Sequence, residues 1–404
     1  MKKTILTITL ALASFNSSAD INFDTSSGKL KLYGDVEFNT DAASSSKQLT
    51  STRTSPNKDW SASDNDRWSI NGRILLGLDG YRELSSGNFA GFTAQPLADM
   101  SGHMNLDDAA FYFGQKEGDK DSWRATIGRF EAYDMFPLNQ DTFVEYSGNT
   151  ANDLYADGFG YIYMMKEGRG RSDAGGNFLM SKQVDDWYFE LNSLIEDGTT
   201  LFSDGDNVNV DGRTYHGRKM EQDKNVVYLR PVVNWKPTSE LSFSAAMESN
   251  VVNNAYGYTN SKGEFVDQSD RTGYGLTMTW DTTKGDPDNG VIFNLNTAYL
   301  DATNEDDFTA ATNIWWKNVE VGYIYAHNKI SDFAGVVCDN NCIIQEEGTY
   351  DIHTVHASYW IKNVMNMENF NIYLGTYYSK IQSDEKVSSD DDRYGARVRF
   401  KYYF

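Results

Sequence analysis

Between WRATIGRF and GFGYIYMM lies EAYDMFPLNQDTFVEYSGNTANDLYAD, residues 131–157. It carries Glu131, Asp134, Asp141, Glu145, Asp153 and Asp157 and no Lys or Arg, interleaved with Tyr133, Phe136, Phe143, Tyr146 and Tyr155. Carboxylates accept hydrogen bonds from hydroxyl and amine groups, and aromatic rings offer flat apolar faces to the C–H groups of a solute. Each such hydrogen bond nets only about 0.5–1.5 kcal/mol against water, so the chemistry is weak, reversible recognition. A connection this long needs a function.

Catalysis is not expected. The five histidines include His353 and His356, which have opposite parity in one strand candidate and face apart. No G-x-S-x-G, HExxH or phosphate loop occurs. Cys338 and Cys342 stand in CDNNC within a polar stretch, and their spacing suits a small loop disulfide rather than a metal set, since no further ligand is near. No metal or cofactor is expected.

The elements that must position such a segment show in the alternation. The first nineteen residues, with Lys2 and Lys3 before an apolar stretch and Ser17-Ser18-Ala19 before Asp20, have the pattern of a secretory signal peptide. Residues 20–404 are then one domain. Beyond the signal there is no run of about 18 apolar residues, which excludes a helical membrane protein. Mean hydropathy is −0.57, yet the chain holds 25 Tyr, 22 Phe and 9 Trp. A transmembrane barrel reconciles these facts, because only alternate residues meet lipid.

Stretches of about ten alternating residues recur throughout. LKLYGDVEF sets Leu30, Leu32, Val36 and Phe38 against Lys31, Tyr33, Asp35 and Glu37. The C-terminal DRYGARVRFKYYF sets Tyr394, Val398, Phe400, Tyr402 and Phe404 against Arg393, Arg397, Arg399 and Lys401. A soluble sandwich strand would show the same contrast, but short connections such as KPTSE alternate with long ones near 39–66, 196–224, 252–270 and 329–349. That asymmetry is typical of outer-membrane barrels. The seventeen strand candidates include 158–166. Because bacterial barrels have even counts, either a further strand lies within 151–157, giving eighteen, or one candidate is false, giving sixteen. Eighteen is favoured. By parity Arg73, Arg124, Arg397, Arg399 and Lys401 point inward, and Arg129 sits where its strand bends into the acidic segment.

The signal peptide, the strand ending in IGRF, the acidic and aromatic insertion after it and the terminal Phe404 together resemble the carbohydrate-specific outer-membrane porins. The raffinose-type glycoporins are the nearest likeness; maltoporin and the sucrose porin are more distant. The resemblance implies an all-β transmembrane antiparallel barrel in the outer membrane of a Gram-negative bacterium, with 131–157 folded inward as a constriction loop. It also implies a homotrimer, recognition of Phe404 by the barrel-assembly machinery, and passive, facilitated diffusion of small neutral oligosaccharides. Glu131, Tyr133, Asp134, Phe136, Asp141, Glu145 and Tyr146 would face the inward cations across the pore. Outer-membrane lipid and lipopolysaccharide are expected to surround the barrel, and nucleic acid is not an expected partner. The alternatives are a general diffusion porin with cation preference, or a non-conducting adhesive or structural barrel.

Overall fold

The computed structural model describes residues 21–26, 28–44, 67–138, 162–165, 175–196, 214–215, 218–222, 224–331, 348–383 and 391–404. Sixteen antiparallel strands form a closed ring. They are β1 (Gly28–Ala43), β2 (Arg67–Glu83), β3 (Asn88–Asp99), β4 (Met104–Gln115), β5 (Asp121–Arg129), β6 (Gly175–Val184), β7 (Trp187–Glu196) and β8 (Val226–Trp235). The ring continues through β9 (Leu241–Asn250), β10 (Arg271–Asp281), β11 (Val291–Ala302), β12 (Glu305–Trp316), β13 (Val319–Ile330), β14 (Gly348–Ile361), β15 (Phe370–Ser383) and β16 (Asp391–Tyr403). Each pairs with its chain neighbours, and β16 closes on β1 from Asp35↔Tyr403 to Ala43↔Gly395. Closure leaves no edge among the wall strands, the condition for placing backbone N–H and C=O groups in hydrocarbon. A short strand, Ile21–Thr25, pairs outside the ring with the part of β1 that β16 does not reach. Phe404 ends beside it, exchanging backbone hydrogen bonds of 2.8 and 3.0 Å with Gly34.

The count is therefore sixteen, not the favoured eighteen, and the false candidate is 158–166. Its described part, Ile162–Met165, is buried inside the ring and is not a wall strand. The segment reads as a strand because Tyr163 and Met165 form one apolar flank, as the lipid flank of a wall strand does; here Ile162 and Met164 make the other flank apolar too, because both meet protein inside the ring.

Two-solvent alternation is clear in the walls. In β13, Glu320, Ile324, Ala326 and Asn328 are buried inward while Val321 and Tyr323 are exposed outward. In β16, Tyr394, Phe400 and Tyr402 face out and Arg393 and Arg399 are buried inside. Outward rings gather at one end, where Trp187 stacks on Trp235 (centroids 5.5 Å apart) and Trp235 on Phe243 (6.0 Å), as in an interfacial aromatic girdle. The connections at the end that holds Phe404 are 84–87, 116–120, 185–186, 236–240, 282–290, 317–318 and 362–369, while the other end has the short 100–103 and 303–304 but also every long connection, those after β1, β5, β7, β9 and β13. This is the arrangement of a barrel whose short turns face the periplasm.

Candidate pore constriction

The chain leaves the wall at the end of β5. Gly128 has φ 131°, and a Cβ there would stand 2.3 Å from the Ala109 carbonyl oxygen, so only glycine fits this close approach. Arg129 donates from Nε to the carbonyls of Leu106 (2.7 Å) and Asp107 (2.8 Å), pinning the bend to β4. Residues 130–138 then cross the interior past successive strands.

Their backbone is held at alternate positions. The Tyr133 N–H donates to Glu190 of β7 (3.1 Å), and its carbonyl accepts from Arg230 of β8 (2.8 Å). The Met135 carbonyl accepts from Thr277 of β10 and Asn296 of β11, and the Pro137 carbonyl from Asn313 of β12 (3.0 Å). The Tyr133 hydroxyl lies 2.8 Å from Ser244 Oγ on β9. An extended segment turns every second carbonyl the same way, and here each meets a donor from the next part of the wall. Without these donors, buried carbonyls would each carry a desolvation penalty of about 1–3 kcal/mol.

Ile162–Met165 reinforce the crossing. Tyr163 donates to Glu248 Oε1 of β9 (3.0 Å) and lies against Gly273 of β10, where a Cβ would be 1.7 Å from the phenol oxygen. Burial, with Glu248 adding to it, pushes the Tyr163 phenol well above its ordinary pKa; burial also raises that of Tyr133. Met135, Tyr163 and Met165 pack with Val232, Leu300, Ile330 and Tyr350. Phe136, Ile162 and Met164 pack with Ala311, Ile324, Ile352 and Ile381. The side of the interior under β8–β15 is thus filled by side chains.

The opposite wall is charged. Arg397 grips Asp41 through two bonds of 2.6 and 2.8 Å. Arg399 lies 3.3 Å from Glu37 and donates to Asn39 (3.0 Å), and Lys401 lies 3.3 Å from Glu37. Arg73 stands between Asp35 (3.6 Å) and Asp107 (4.0 Å). Four cations thus alternate with four carboxylates on β1, β2, β4 and β16. Further round, Arg124 lies 4.0 Å over the Tyr112 ring and bonds Glu117 (3.0 Å), while Tyr33, Gln95, Thr93 and Asp79 form a hydrogen-bonded chain.

The structure therefore brings Tyr133, Asp134 and Phe136 inside, with Glu131 half-buried at the start of the crossing. Asp134 accepts from the N–H of Phe136 (2.7 Å), shaping its own turn. Arg73, Arg397, Arg399 and Lys401 are gathered on one inner wall; Arg124 stands nearer the short-turn end, and Arg129 is a bend anchor. Asp141, Glu145, Tyr146, Cys338 and Cys342 lie outside the described residues. Sequence reasoning missed Asp35, Glu37, Asp41 and Asp107, although the first three share parity with the inward face of β1. It also missed the wall donors Arg230, Thr277, Asn296 and Asn313.

The sequence model of the family described as porin-like glycoporin RafY matches residues 32–404. The chain belongs to that family. A comparison with curated proteins found no match. Among solved structures, this porin is similar to the outer membrane channel DcaP of Acinetobacter baumannii, with 11% identity, TM-score 0.57, and 94% of this chain and 99% of that one covered. It is also similar to Pseudomonas putida OprB (11%, 0.55, 92% and 94%) and to an anion-selective porin from Comamonas acidovorans (14%, 0.53, 93% and 100%). At such identities the likeness is one of fold. Family and fold are those of outer-membrane diffusion channels, not of enzymes.

Proposed function

We propose that this porin passes small neutral oligosaccharides by facilitated diffusion. The observation carrying this reading is the compensated inner wall: Arg73, Arg397, Arg399 and Lys401 stand against Asp35, Glu37, Asp41 and Asp107. Such a wall has little net field along the path to favour one ion, yet offers closely spaced donors and acceptors. Polyhydroxylated solutes use both kinds of group, exchanging water hydrogen bonds for wall hydrogen bonds at little net free energy. The half-buried Tyr33, Tyr112 and Arg124 extend the polar, ring-bearing surface on the same side. The filled side under β8–β15 narrows the path and presses solutes against this wall.

Single-channel recording in planar bilayers tests the reading. Addition of a neutral trisaccharide is expected to block the current in discrete, concentration-dependent steps, and Arg397→Ala or Asp41→Ala to weaken that block. A conductance indifferent to every neutral sugar would make it a general diffusion porin; no conductance would make it a structural barrel.

A further inference from the structure

The outer surface carries a feature that solute passage does not use. Directly paired outward residues run Trp123–Lys182–Phe189–Val233–Ala245–Leu276 across β5 to β10. Large side chains stand at the ends of this row and small ones at its middle. One step further from the short turns, Met180 and Leu191 rise on one side and Met247 and Tyr274 on the other, with Pro231 between them. The result is a groove of about 860 Å³ on the outside of the barrel. Pro231 belongs on its floor: it has no N–H to give, and the β8–β9 ladder skips Arg230 and Pro231.

The groove lies immediately above the stacked Trp187, Trp235 and Phe243 at the short-turn end, at the level where hydrocarbon begins. At its lip, Lys182 pairs with Asp121, and both remain exposed, at 47% and 70%. An isolated outward charge at hydrocarbon depth is costly, whereas a long lysine at a rim reaches back to the headgroups. This cation and carboxylate side by side match a headgroup that carries both a phosphodiester and a primary ammonium.

We propose that the groove is a binding site for one aminophospholipid of the inner leaflet. An acyl chain lies over Val233 and Ala245, the phosphate meets Lys182 and the ammonium donates to Asp121. A second copy of the chain would need an apolar ridge to fill the groove and an opposed charge pair to match its lip; a phosphatidylethanolamine supplies both in one molecule.

The test is native mass spectrometry of the full-length porin, released from nanodiscs holding equal amounts of phosphatidylethanolamine and phosphatidylcholine. One phosphatidylethanolamine per chain is expected to survive release in preference to phosphatidylcholine, whose trimethylammonium has no N–H to donate. Ala245→Phe fills the groove from the lipid side without touching the interior, and is expected to lower retention about tenfold, the loss of roughly two buried methylene contacts. Asp121→Asn is expected to keep a bound lipid but erase the preference. The proposal is overturned if no phospholipid is retained, if Ala245→Phe retains as much as the parent, or if Met247→Cys forms disulfides between copies across the groove.

Discussion

Arg397 and Asp41 are 356 residues apart in the chain and join their side chains by two hydrogen bonds across the seam that closes the ring. The same pair ties the last strand to the first and balances a cation against an anion on the pore wall. Removing one partner therefore changes both properties. Arg397→Ala leaves Asp41 in excess and is expected to shift the zero-current potential toward cation preference; Asp41→Asn is expected to shift it the other way. The double variant returns it toward the parent value. Each single variant should lose about 1.5 kcal/mol of stability, the lower end for a charge-assisted hydrogen bond because the aqueous lumen screens the pair. Reversal potentials under a salt gradient and unfolding in detergent check the two effects.

Arg230 is the buried cation among the latches on the crossing segment, 2% exposed, donating to the Tyr133 carbonyl and lying 3.8 Å from Glu190. Arg230→Met strands the Glu190 carboxylate and frees the carbonyl. Breaking a buried pair in this way costs roughly 3–5 kcal/mol, and the crossing segment loses its hold on β8. Higher and noisier single-channel conductance is expected, with a lower melting temperature. Adding Glu190→Gln should restore part of the stability but not the parent conductance, because Tyr133 still lacks its donor.

The two-solvent barrel was legible because alternation is local: β10 to β13 each announce their inward and outward faces within a dozen residues. The parity of β16 puts Arg397, Arg399 and Lys401 on one face, the face that meets Asp41 and Glu37. Their carboxylate partners were not legible as partners, since no turn joins β16 to β1 and nothing local fixes the register of that seam. Asn294, Asn296, Asn313 and Thr277 read as small polar groups on a wet wall, whereas two of them bond the Met135 carbonyl and two approach that of Pro137. The Ile162–Met165 plug was misread for a related reason. An apolar flank reports that a segment packs against something apolar, not whether that neighbour is lipid or the inside of the same barrel.

Gly273 and Tyr163 give a steric test of that plug. The space a Cβ would take at Gly273 is already occupied by the Tyr163 phenol, and at Gly275 by Met165. Gly273→Ala is expected to push the phenol off Glu248, lower stability by about 1–3 kcal/mol through overpacking and alter conductance. Combining it with Tyr163→Ala should recover part of that loss, because the cavity accepts the added methyl. If the double variant is merely the sum of the two single losses, Tyr163 does not lie over Gly273.

Tyr163 also predicts an alkaline limit. Its phenol would ionise near 10.0 in the unfolded chain and well above that in the folded porin, because burial and the neighbouring Glu248 both oppose the anion. The folded state therefore keeps its proton where the unfolded state releases one. The stabilising difference is fully present below pH 10 and is lost as pH rises above it. Unfolding in detergent followed from pH 8 to 12 should show stability falling beyond about pH 10, and the tyrosinate absorbance of the parent less that of Tyr163→Phe should appear only with unfolding. Tyr163→Phe cannot ionise there: it should be less stable than the parent at pH 8, for want of the bond to Glu248, and lose less on going to pH 12. Equal slopes in the two proteins would mean that the phenol reaches solvent in the folded state, and that the plug does not seal this side of the interior.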